Sequence, residues 1–382
     1  MIPYSTQDIN EADIKAVTKV LRSKWLTQGP TIEKFEKALA KKVGAKFAVA
    51  FNSGTAALHA AYFASGIEKG DEVIVPALTF AATANAALYL GAKPVFADSD
   101  IWTGNMDPAY AKSKITKKTK VIVPVDYAGR PADMRAFQIL AKKYKLVLIS
   151  DAAQSLGAYY NGKPVGTQAD MTMFSFHPAK SITTGEGGII VTDSQKFDKA
   201  LRLFRSHGIC KDAKEFVRRG YGEWYQEMQA LGFNYRMPEM SAALGLSQLT
   251  RLDSFIKKRR AAAKRYEKLL KGIPHLILPM PERDHEKSAW HLYPVRLTPP
   301  NAHRRDEVFL QMRMAGIGVQ VHHVPVHTHL FYERFGYKKG ICPATEDFVA
   351  SEISIPLFPN ITYKQQKFIV ETLEDILDRL DI

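Results

Sequence analysis

Short apolar runs alternate with amphipathic segments between residues 45 and 155. The runs Ala48–Phe51, Val73–Val75 and Leu146–Ile149 contain no polar alternation, which is typical of strands buried on both faces of a parallel sheet. Amphipathic segments such as Met134–Tyr144 would supply the helical crossovers that parallel strands require. We therefore predict a doubly wound α/β sheet, mixed but mostly parallel and of about seven strands. Further strands are predicted at Lys93–Asp98, Thr119–Val125, Asp170–Phe176 and Ile189–Thr192.

The pattern changes after about residue 270. Strands are predicted at Tyr293–Leu297, Val319–Val324 and Ile353–Pro356, and helices at Arg304–Ala315 and Lys364–Leu380. These elements predict a smaller α+β domain, linked to the sheet by a basic helix after Arg251. We expect residues 1–250 to form a large α/β domain, with an N-terminal substrate segment, and residues 251–382 to form the small C-terminal domain.

Charge and composition narrow the class of protein. The 382 residues carry a formal net charge of +14, and their hydrophobic content of 46% is that of a globular chain. The densest basic run, Lys257–Arg260, lies opposite an apolar helical stripe, so we interpret it as a solvated face and expect no nucleic-acid partner. A basic surface would also attract an anionic small substrate such as a nucleotide-sugar. No apolar run reaches the ~18 residues that a membrane helix needs. The sequence also has no leader-like start and no cysteine framework, so we expect a cytoplasmic protein with no membrane partner.

Polar or small residues follow three of the predicted strands. Ser53-Gly54-Thr55 follows the first strand and opens a helix, where free main-chain N–H groups favour an anion such as phosphate. Thr79-Phe80 follows another strand, and Phe80 is either a core residue or a ring lying against a flat cofactor. Asp151 ends a third strand, where it either caps the next segment or pairs with a cation. Because ligands bind at the carboxyl ends of such strands, we expect these residues to converge.

Lys180 lies in a Gly-rich loop between two predicted strands. The stretch Phe174–Gly188 places this lysine between aromatic residues and a run of small and hydroxyl residues. A lysine withdrawn from water becomes a nucleophile near neutral pH and can form a Schiff base with an aldehyde. A solvated lysine in a turn is the alternative. The carboxylate at Asp151 and the anion site near Thr55 favour a lysine that carries pyridoxal phosphate (PLP), because PLP needs a partner for its ring nitrogen.

Four histidines at positions 322, 323, 327 and 329 could hold zinc, but Pro325 interrupts the run and no cysteine or carboxylate lies near it in sequence. We predict no metal site and expect these side chains to contact a polar substrate. The segment Asp212–Leu231 has no clear period and is predicted to be a flexible excursion.

Five motifs stand in a defined order along the chain: Ser53–Leu58, Pro76–Phe80, Asp151–Ser155, Phe174–Gly188 and Gly232–Met237. Together they resemble the DegT/DnrJ/EryC1/StrS family of nucleotide-sugar aminotransferases, over essentially the whole chain. Within that family, Phe176–Gly188, with Ile182-Thr183-Thr184, looks closest to the branch that makes UDP-4-amino-4,6-dideoxy-N-acetyl-β-L-altrosamine, on the pseudaminic acid route. The opening Ile2–Ser5 is similar to that branch too.

The resemblance implies a fold-type I PLP enzyme that acts as a homodimer with shared active sites. It implies that Lys180 is the Schiff-base lysine and the catalytic proton carrier, that Asp151 binds the ring nitrogen, and that Phe80 packs on the ring. Cofactor contacts are further implied for Gln154 near the phenolic oxygen and for Thr55, Ala56, Ser175 and the partner's Asn234 at the phosphate. Substrate contacts are implied for Tyr4, Lys24, Trp25, Leu26, Thr27, Ser53, Ser175, Asn234, Gln320, Val321, His322 and His323.

The implied reaction moves an amino group from glutamate to C4 of a UDP-4-keto-6-deoxy-N-acetylhexosamine. Pyridoxamine phosphate (PMP) is the intermediate form of the cofactor, and 2-oxoglutarate is released. An aminotransferase for another UDP- or dTDP-keto-sugar is the nearest alternative. A non-catalytic PLP-binding regulator is a second one, and a dehydratase-like relative a third, although such relatives have histidine where this chain has Lys180.

Overall fold

The computed structural model describes residues 1–382. Its helices are α1 (Glu11–Leu21), α2 (Pro30–Val43), α3 (Gly54–Ala64), α4 (Ala81–Tyr89), α5 (Pro108–Ser113), α6 (Met134–Tyr144), α7 (Gln195–Arg205), α8 (Glu239–Leu249), α9 (Leu252–Leu269), α10 (Arg305–Met314), α11 (Leu330–Glu333), α12 (Pro343–Ser351) and α13 (Tyr363–Arg379).

The strands fall into one large sheet and three small ones. They are β1 (Phe47–Phe51), β2 (Glu72–Pro76), β3 (Lys93–Ala97), β4 (Thr119–Ile122), β5 (Val147–Asp151), β6 (Tyr159–Tyr160), β7 (Lys163–Pro164), β8 (Met171–Ser175), β9 (Gly188–Thr192), β10 (Ile209–Cys210), β11 (Glu227–Met228), β12 (Leu276–Ile277), β13 (Glu286–Lys287), β14 (Tyr293–Leu297) and β15 (Glu352–Ile355).

The large sheet has seven strands in the order β1-β9-β8-β5-β4-β2-β3. Neighbours from β8 to β3 pair in parallel, whereas β9 is antiparallel to both β1 and β8. Only β9 therefore runs against the other six strands. This arrangement confirms the predicted mixed, mostly parallel sheet, and it brings the carboxyl ends of β1, β2, β5 and β8 to one edge.

The C-terminal part has a sheet and a hydrophobic core of its own. Strands β12, β14 and β15 pair antiparallel, and α9, α10 and α13 contribute buried side chains such as Tyr266, Met312 and Leu373 to the core beside this sheet. The boundary predicted near residue 250 falls between α8 and α9. The division into two domains stays a prediction.

The strand predicted at Val319–Val324 is wrong. Only one isolated bridge, Gln320 with Ser354 of β15, forms in this segment. The main-chain N–H of His322 instead donates to the Glu352 carboxyl at 3.0 Å, and its carbonyl accepts from the Tyr127 hydroxyl at 2.7 Å. Because side chains use these backbone groups, they are not available to a β ladder.

The segment at 212–231 contains more order than its sequence pattern indicated. It holds a 3₁₀ turn (Ala213–Glu215), and β10 pairs with β11 at its ends. The Glu227 carboxylate accepts from the main-chain N–H groups of Val217 and Arg218, at 2.9 and 3.0 Å. These two contacts close the excursion on itself, while Trp224 remains three-quarters exposed.

None of the helices combines the length and apolarity needed to cross a membrane.

Candidate active site

A cavity of 470 Å³ lies at the edge where β1, β2, β5 and β8 end. Its wall combines residues at the ends of these strands with His322 and His323 of the segment Val319–Val324, which we call the 320s segment. Ten residues that the sequence or the family resemblance singled out line it together: Tyr4, Ser53, Thr55, Phe80, Asp151, Gln154, Ser175, Lys180, His322 and His323.

The start of α3 forms one wall. Ser53 is the N-cap of this helix, and its hydroxyl accepts from the Ala56 N–H at 3.0 Å. The N–H groups of the first turn beyond this cap have no partner within the helix. Close packing holds the turn in place, because a Cβ added to Gly188 would lie 2.5 Å from the Ser53 carbonyl oxygen. Small residues therefore build a positive, N–H-rich cradle of the kind that binds phosphate.

Asp151 forms the floor. This buried carboxylate ends β5, and it accepts from the Thr83 hydroxyl at 2.7 Å and from the Ala153 N–H at 3.2 Å. Burial raises the pKa of Asp151, and the two hydrogen bonds and the Lys180 charge oppose that rise. A buried carboxylate without an ion-pair partner suits a cationic group in the cavity, such as a protonated pyridine nitrogen.

Lys180 faces this carboxylate across the cavity. The main-chain N–H of Lys180 donates to the His177 carbonyl at 2.9 Å, and this bond fixes the tight turn after β8. Burial lowers the pKa of Lys180 to about 8; Asp151 opposes this shift and the positive charge of Arg259 adds to it. A substantial fraction of the amine is thus neutral and nucleophilic at neutral to mildly alkaline pH.

Phe80 and Gln154 complete the space for a flat ring. Phe80 is the N-cap residue of α4, and its side chain is 63% exposed in the isolated chain. The Gln154 side-chain oxygen accepts from the Ala128 N–H at 2.7 Å, which orients its amide along the wall. The amine, the carboxylate, the N–H cradle and the open aromatic face match the aldehyde, ring nitrogen, phosphate and ring of PLP, so the residues present fit this cofactor.

Other predicted site residues do not line the cavity of a single chain. Lys24–Thr27 lie in an exposed loop, and Gln320 and Val321 are not among the residues that line the cavity. Asn234 pairs with Ser206 and lies beside Asn52. Ala56 donates its N–H to Ser53. The site roles of these residues stay predictions.

The site also contains residues that the sequence did not single out for it. Thr83 donates to Asp151 and is itself bonded to Thr79 at 2.8 Å. Its position in the first turn of α4, directly after the Thr79-Phe80 motif, was the available signal. His291 and Glu186 also line the cavity. No local signal marks His291, because it is brought in by main-chain hydrogen bonds between Ala128–Gly129 and residues 289–292.

The four histidines do not come together in one cluster. His322 and His323 line the cavity, whereas the buried His327 ring bonds to Glu346 at 2.8 Å. No group of three or more histidine, cysteine or carboxylate side chains in the structure is placed to hold a metal ion.

Comparison with known proteins identifies this arrangement. The model of the DegT/DnrJ/EryC1/StrS aminotransferase family matches residues 7–374. A Campylobacter jejuni protein named UDP-4-amino-4,6-dideoxy-N-acetyl-beta-L-altrosamine transaminase is 40% identical over 383 aligned positions, which cover 100% of this chain and 98% of the relative.

Solved structures agree with the sequence match. Helicobacter pylori PseC, an aminotransferase involved in the biosynthesis of pseudoaminic acid, superposes with a TM-score of 0.92 at 34% identity, over 99% of each chain. The Streptococcus pneumoniae protein Spr1654 in its PMP form superposes with a TM-score of 0.93 at 32% identity, over 100% of each chain, and a PLP form of it is also known. The chain therefore belongs to the DegT/DnrJ/EryC1/StrS aminotransferase family, and it is a PLP-dependent aminotransferase.

Proposed function

We propose that the protein transfers an amino group from glutamate to C4 of a UDP-4-keto-6-deoxy-N-acetylhexosamine, in amino-sugar biosynthesis of the pseudaminic acid type. The observation that carries this proposal is the convergence of Lys180, Asp151 and the α3 N-terminus on one cavity. The likeness to the Campylobacter jejuni transaminase and to PseC supports the choice of sugar. The finer identity of sugar and nucleotide rests on these relatives.

The residues of this chain have separate tasks in the reaction. PLP, when bound, supplies an electron sink that lets a proton leave the carbon bearing the amino group. Lys180 holds and moves that proton at Nζ, because its lowered pKa lets the amine both accept and release a proton near neutral pH. Asp151 would stabilise the positive charge of the cofactor's protonated ring nitrogen at the floor of the cavity. Thr83 orients the Asp151 carboxylate for this task.

The substrate would enter past the N-terminal segment and the 320s segment. Tyr4, His322 and His323 line the cavity beside Lys180, and Lys24–Thr27 would extend this surface toward the nucleotide. We further propose a homodimer in which the partner's Asn234 completes the phosphate site, because Asn234 lies outside the cavity of its own chain. The net charge of +14 favours an anionic nucleotide-sugar over a neutral sugar.

Absorbance and product analysis test the proposal. We expect a yellow protein whose PLP band is replaced by the PMP band when glutamate is added, and no such band in Lys180→Ala. Lys196→Ala, which removes an exposed lysine of α7, is the matched control and should behave as the wild type. Mass spectrometry of products from a panel of UDP- and dTDP-linked keto-sugars then identifies the substrate. A band unchanged by every amino donor, or amination of dTDP-sugars only, would contradict the proposal.

A further inference from the structure

Behind the cavity wall lies a buried carboxyl group with no ion-pair partner. Glu352 begins β15 and is fully buried. Its carboxyl group contacts only two hydrogen-bonding groups: Oε2 accepts from the His322 N–H at 3.0 Å, and Oε1 lies 2.5 Å from the Ser354 hydroxyl. A buried, unpaired carboxyl is costly unless it is neutral or has a role.

A chain of hydrogen bonds links this carboxyl to the cavity. Ser354 is also buried, and its Oγ lies 3.0 Å from Nδ1 of His322. The imidazole packs 5.5 Å from the ring of Tyr4, and the Tyr127 hydroxyl holds the His322 carbonyl at 2.7 Å. His322 is thus held through its main-chain N–H, its carbonyl and its ring nitrogen Nδ1. Nε2, on the other side of the ring, has no protein partner, and His322 lines the cavity with Lys180.

We propose that Glu352, Ser354 and His322 form a proton relay, in which Glu352 stores a proton that His322 exchanges with the substrate side of the cavity at Nε2. A hydroxyl donates one hydrogen and accepts others, so the Ser354 hydroxyl can point only one way at a time. The direction in which it points fixes the tautomer of His322. His322 is the residue that meets the substrate, and Glu352 and Ser354 are positioning residues.

The two states of the relay differ by one proton. In the protonated state Glu352 donates to Ser354, Ser354 donates to Nδ1 of His322, and Nε2 carries the hydrogen that it can donate to a substrate oxygen. When Nε2 gives up that hydrogen, the Ser354 hydrogen passes to Nδ1 and the Glu352 hydrogen passes to Ser354. Glu352 is then a carboxylate that accepts from Ser354, Nδ1 carries a hydrogen, and Nε2 is an acceptor.

The charges around the relay place this change in an accessible pH range. Burial raises the pKa of Glu352 to about 8, against the bonds from Ser354 and His322 and the charges of Arg305 and Arg296. Tyr127, whose own pKa is raised by burial and by Glu352, also faces the carboxyl. On the cavity side, burial and the Lys180 charge lower the pKa of His322 to about 4, so its ring stays neutral while the tautomer changes. His323 packs edge-on against it, with ring centroids 5.0 Å apart.

Nitrogen NMR of the histidine-labelled, PLP-loaded protein tests the relay directly, because imidazole ¹⁵N shifts distinguish the two tautomers. The signals are assigned by their loss in His322→Gln. In the wild type we expect His322 to change from the Nε2–H to the Nδ1–H form as the pH rises through about 8, the pKa of Glu352. Glu352→Gln should hold the Nε2–H form at every pH, because the amide donates to Ser354 as a protonated carboxyl does.

Two serine variants separate the relay from general packing. Ser354→Ala removes the link and should abolish the pH-dependent change of tautomer. Ser351→Ala removes another buried hydroxyl nearby in sequence, which bonds only to main-chain carbonyls of α12, and should leave the change intact. A wild-type His322 with one tautomer from pH 6 to 10, or a change that persists in Ser354→Ala, overturns the relay.

The use of the relay in the reaction rests on the proposed function. Because Lys180 also titrates near pH 8, the contribution of the relay is read from the difference between pH profiles of kcat/KM measured with the keto-sugar substrate. Ser351→Ala should have the profile of the wild type, whereas Glu352→Gln and Ser354→Ala should share a profile that lacks one titration step. A Ser354→Ala profile of the same shape as that of the wild type overturns a role in turnover. Absence of amino transfer to any sugar, with the NMR change present, overturns the proposed function and supports the relay.

Discussion

At the scale of the residue, the hydroxyl of Thr83 holds the carboxylate at the floor of the site. It donates to Asp151 Oδ2 at 2.7 Å inside the protein. Replacing it in Thr83→Val, which is close in shape, removes a hydrogen bond to a charged group, which is worth about 1.5–3 kcal/mol. We expect the pKa of Asp151 to rise and PLP affinity to fall by roughly 10- to 100-fold.

Thr83→Ser keeps the hydroxyl and serves as the control. PLP affinity, measured by titrating the cofactor-free protein and following absorbance, should stay near the wild-type value in this variant. If Thr83→Ser weakens binding as much as Thr83→Val, the effect comes from packing of α4 and not from the hydrogen bond to Asp151.

Residues at the ends of strands could be predicted, and residues brought in from far along the chain could not. Asp151 and Thr55 follow apolar strands, so their convergence with Lys180 follows from parallel topology alone. His291 reaches the cavity through backbone pairing with the turn at Ala128. Glu352 lies 30 residues from its partner His322. Local patterns carry no information about such contacts, because these depend on tertiary packing between residues far apart in the chain.

At the scale of the element, the junction of β9 with α3 sets the geometry of the phosphate cradle. Gly188 begins β9, and a Cβ there would lie 2.7 Å from the Gly54 Cα and N as well as touching the Ser53 carbonyl. Gly188→Ala must push the start of α3 away from the strand. We expect a loss of about 1–3 kcal/mol in the free energy of unfolding from overpacking, together with a marked loss of PLP affinity.

Gly185→Ala separates displacement of α3 from backbone strain. A Cβ at Gly185 meets no atom within 4 Å, but its φ of +80° is unfavourable for alanine, so the variant should lose about 1–2 kcal/mol of stability. Its PLP affinity should stay close to the wild type. Urea unfolding and cofactor titration measure the two quantities. Equal losses of affinity in both variants would show that loop strain, rather than the position of α3, controls binding.

The hydrophobic pattern predicted some elements with their bounds and was wrong about others. α6 matches its prediction at Met134–Tyr144, because an amphipathic stripe, the Asp133 cap and a left-handed Lys145 define it locally. Strand β4 ends at Ile122 and not at Val125, which forms only a single bridge with Asp151. The segment Val319–Val324 alternates like a strand, yet Tyr127 and Glu352 take the backbone groups of His322. A segment forms a strand only where another segment pairs with it, and that pairing partner lies outside the local sequence.

At the scale of the whole molecule, a single chain leaves apolar side chains exposed in segments that we expect to bind substrate or cofactor. Trp25 and Leu26 are about half exposed, at 54% and 50%, and Leu231 is 76% exposed next to the Gly232–Met237 motif. Exposed apolar groups near functional segments are typical of a surface that a partner covers. In the proposed homodimer, a second copy of this chain would cover such a surface, and we predict that it brings the partner's Asn234 to the phosphate.

Mixed dimers test this arrangement. If each site combines Lys180 of one protomer with Asn234 of the other, a dimer of Lys180→Ala with Asn234→Ala has one site with both defects and one intact site. Random assortment makes half of the dimers mixed, so co-expression should restore about a quarter of the wild-type activity per dimer, although each variant alone is nearly inactive. Sites contained within single chains would leave a mixed dimer with one defect in each site and no recovery. Lys180→Ala co-expressed with the double variant Lys180→Ala, Asn234→Ala is the matched control, because no pairing of these two chains contains an intact lysine, and it should stay inactive in either arrangement.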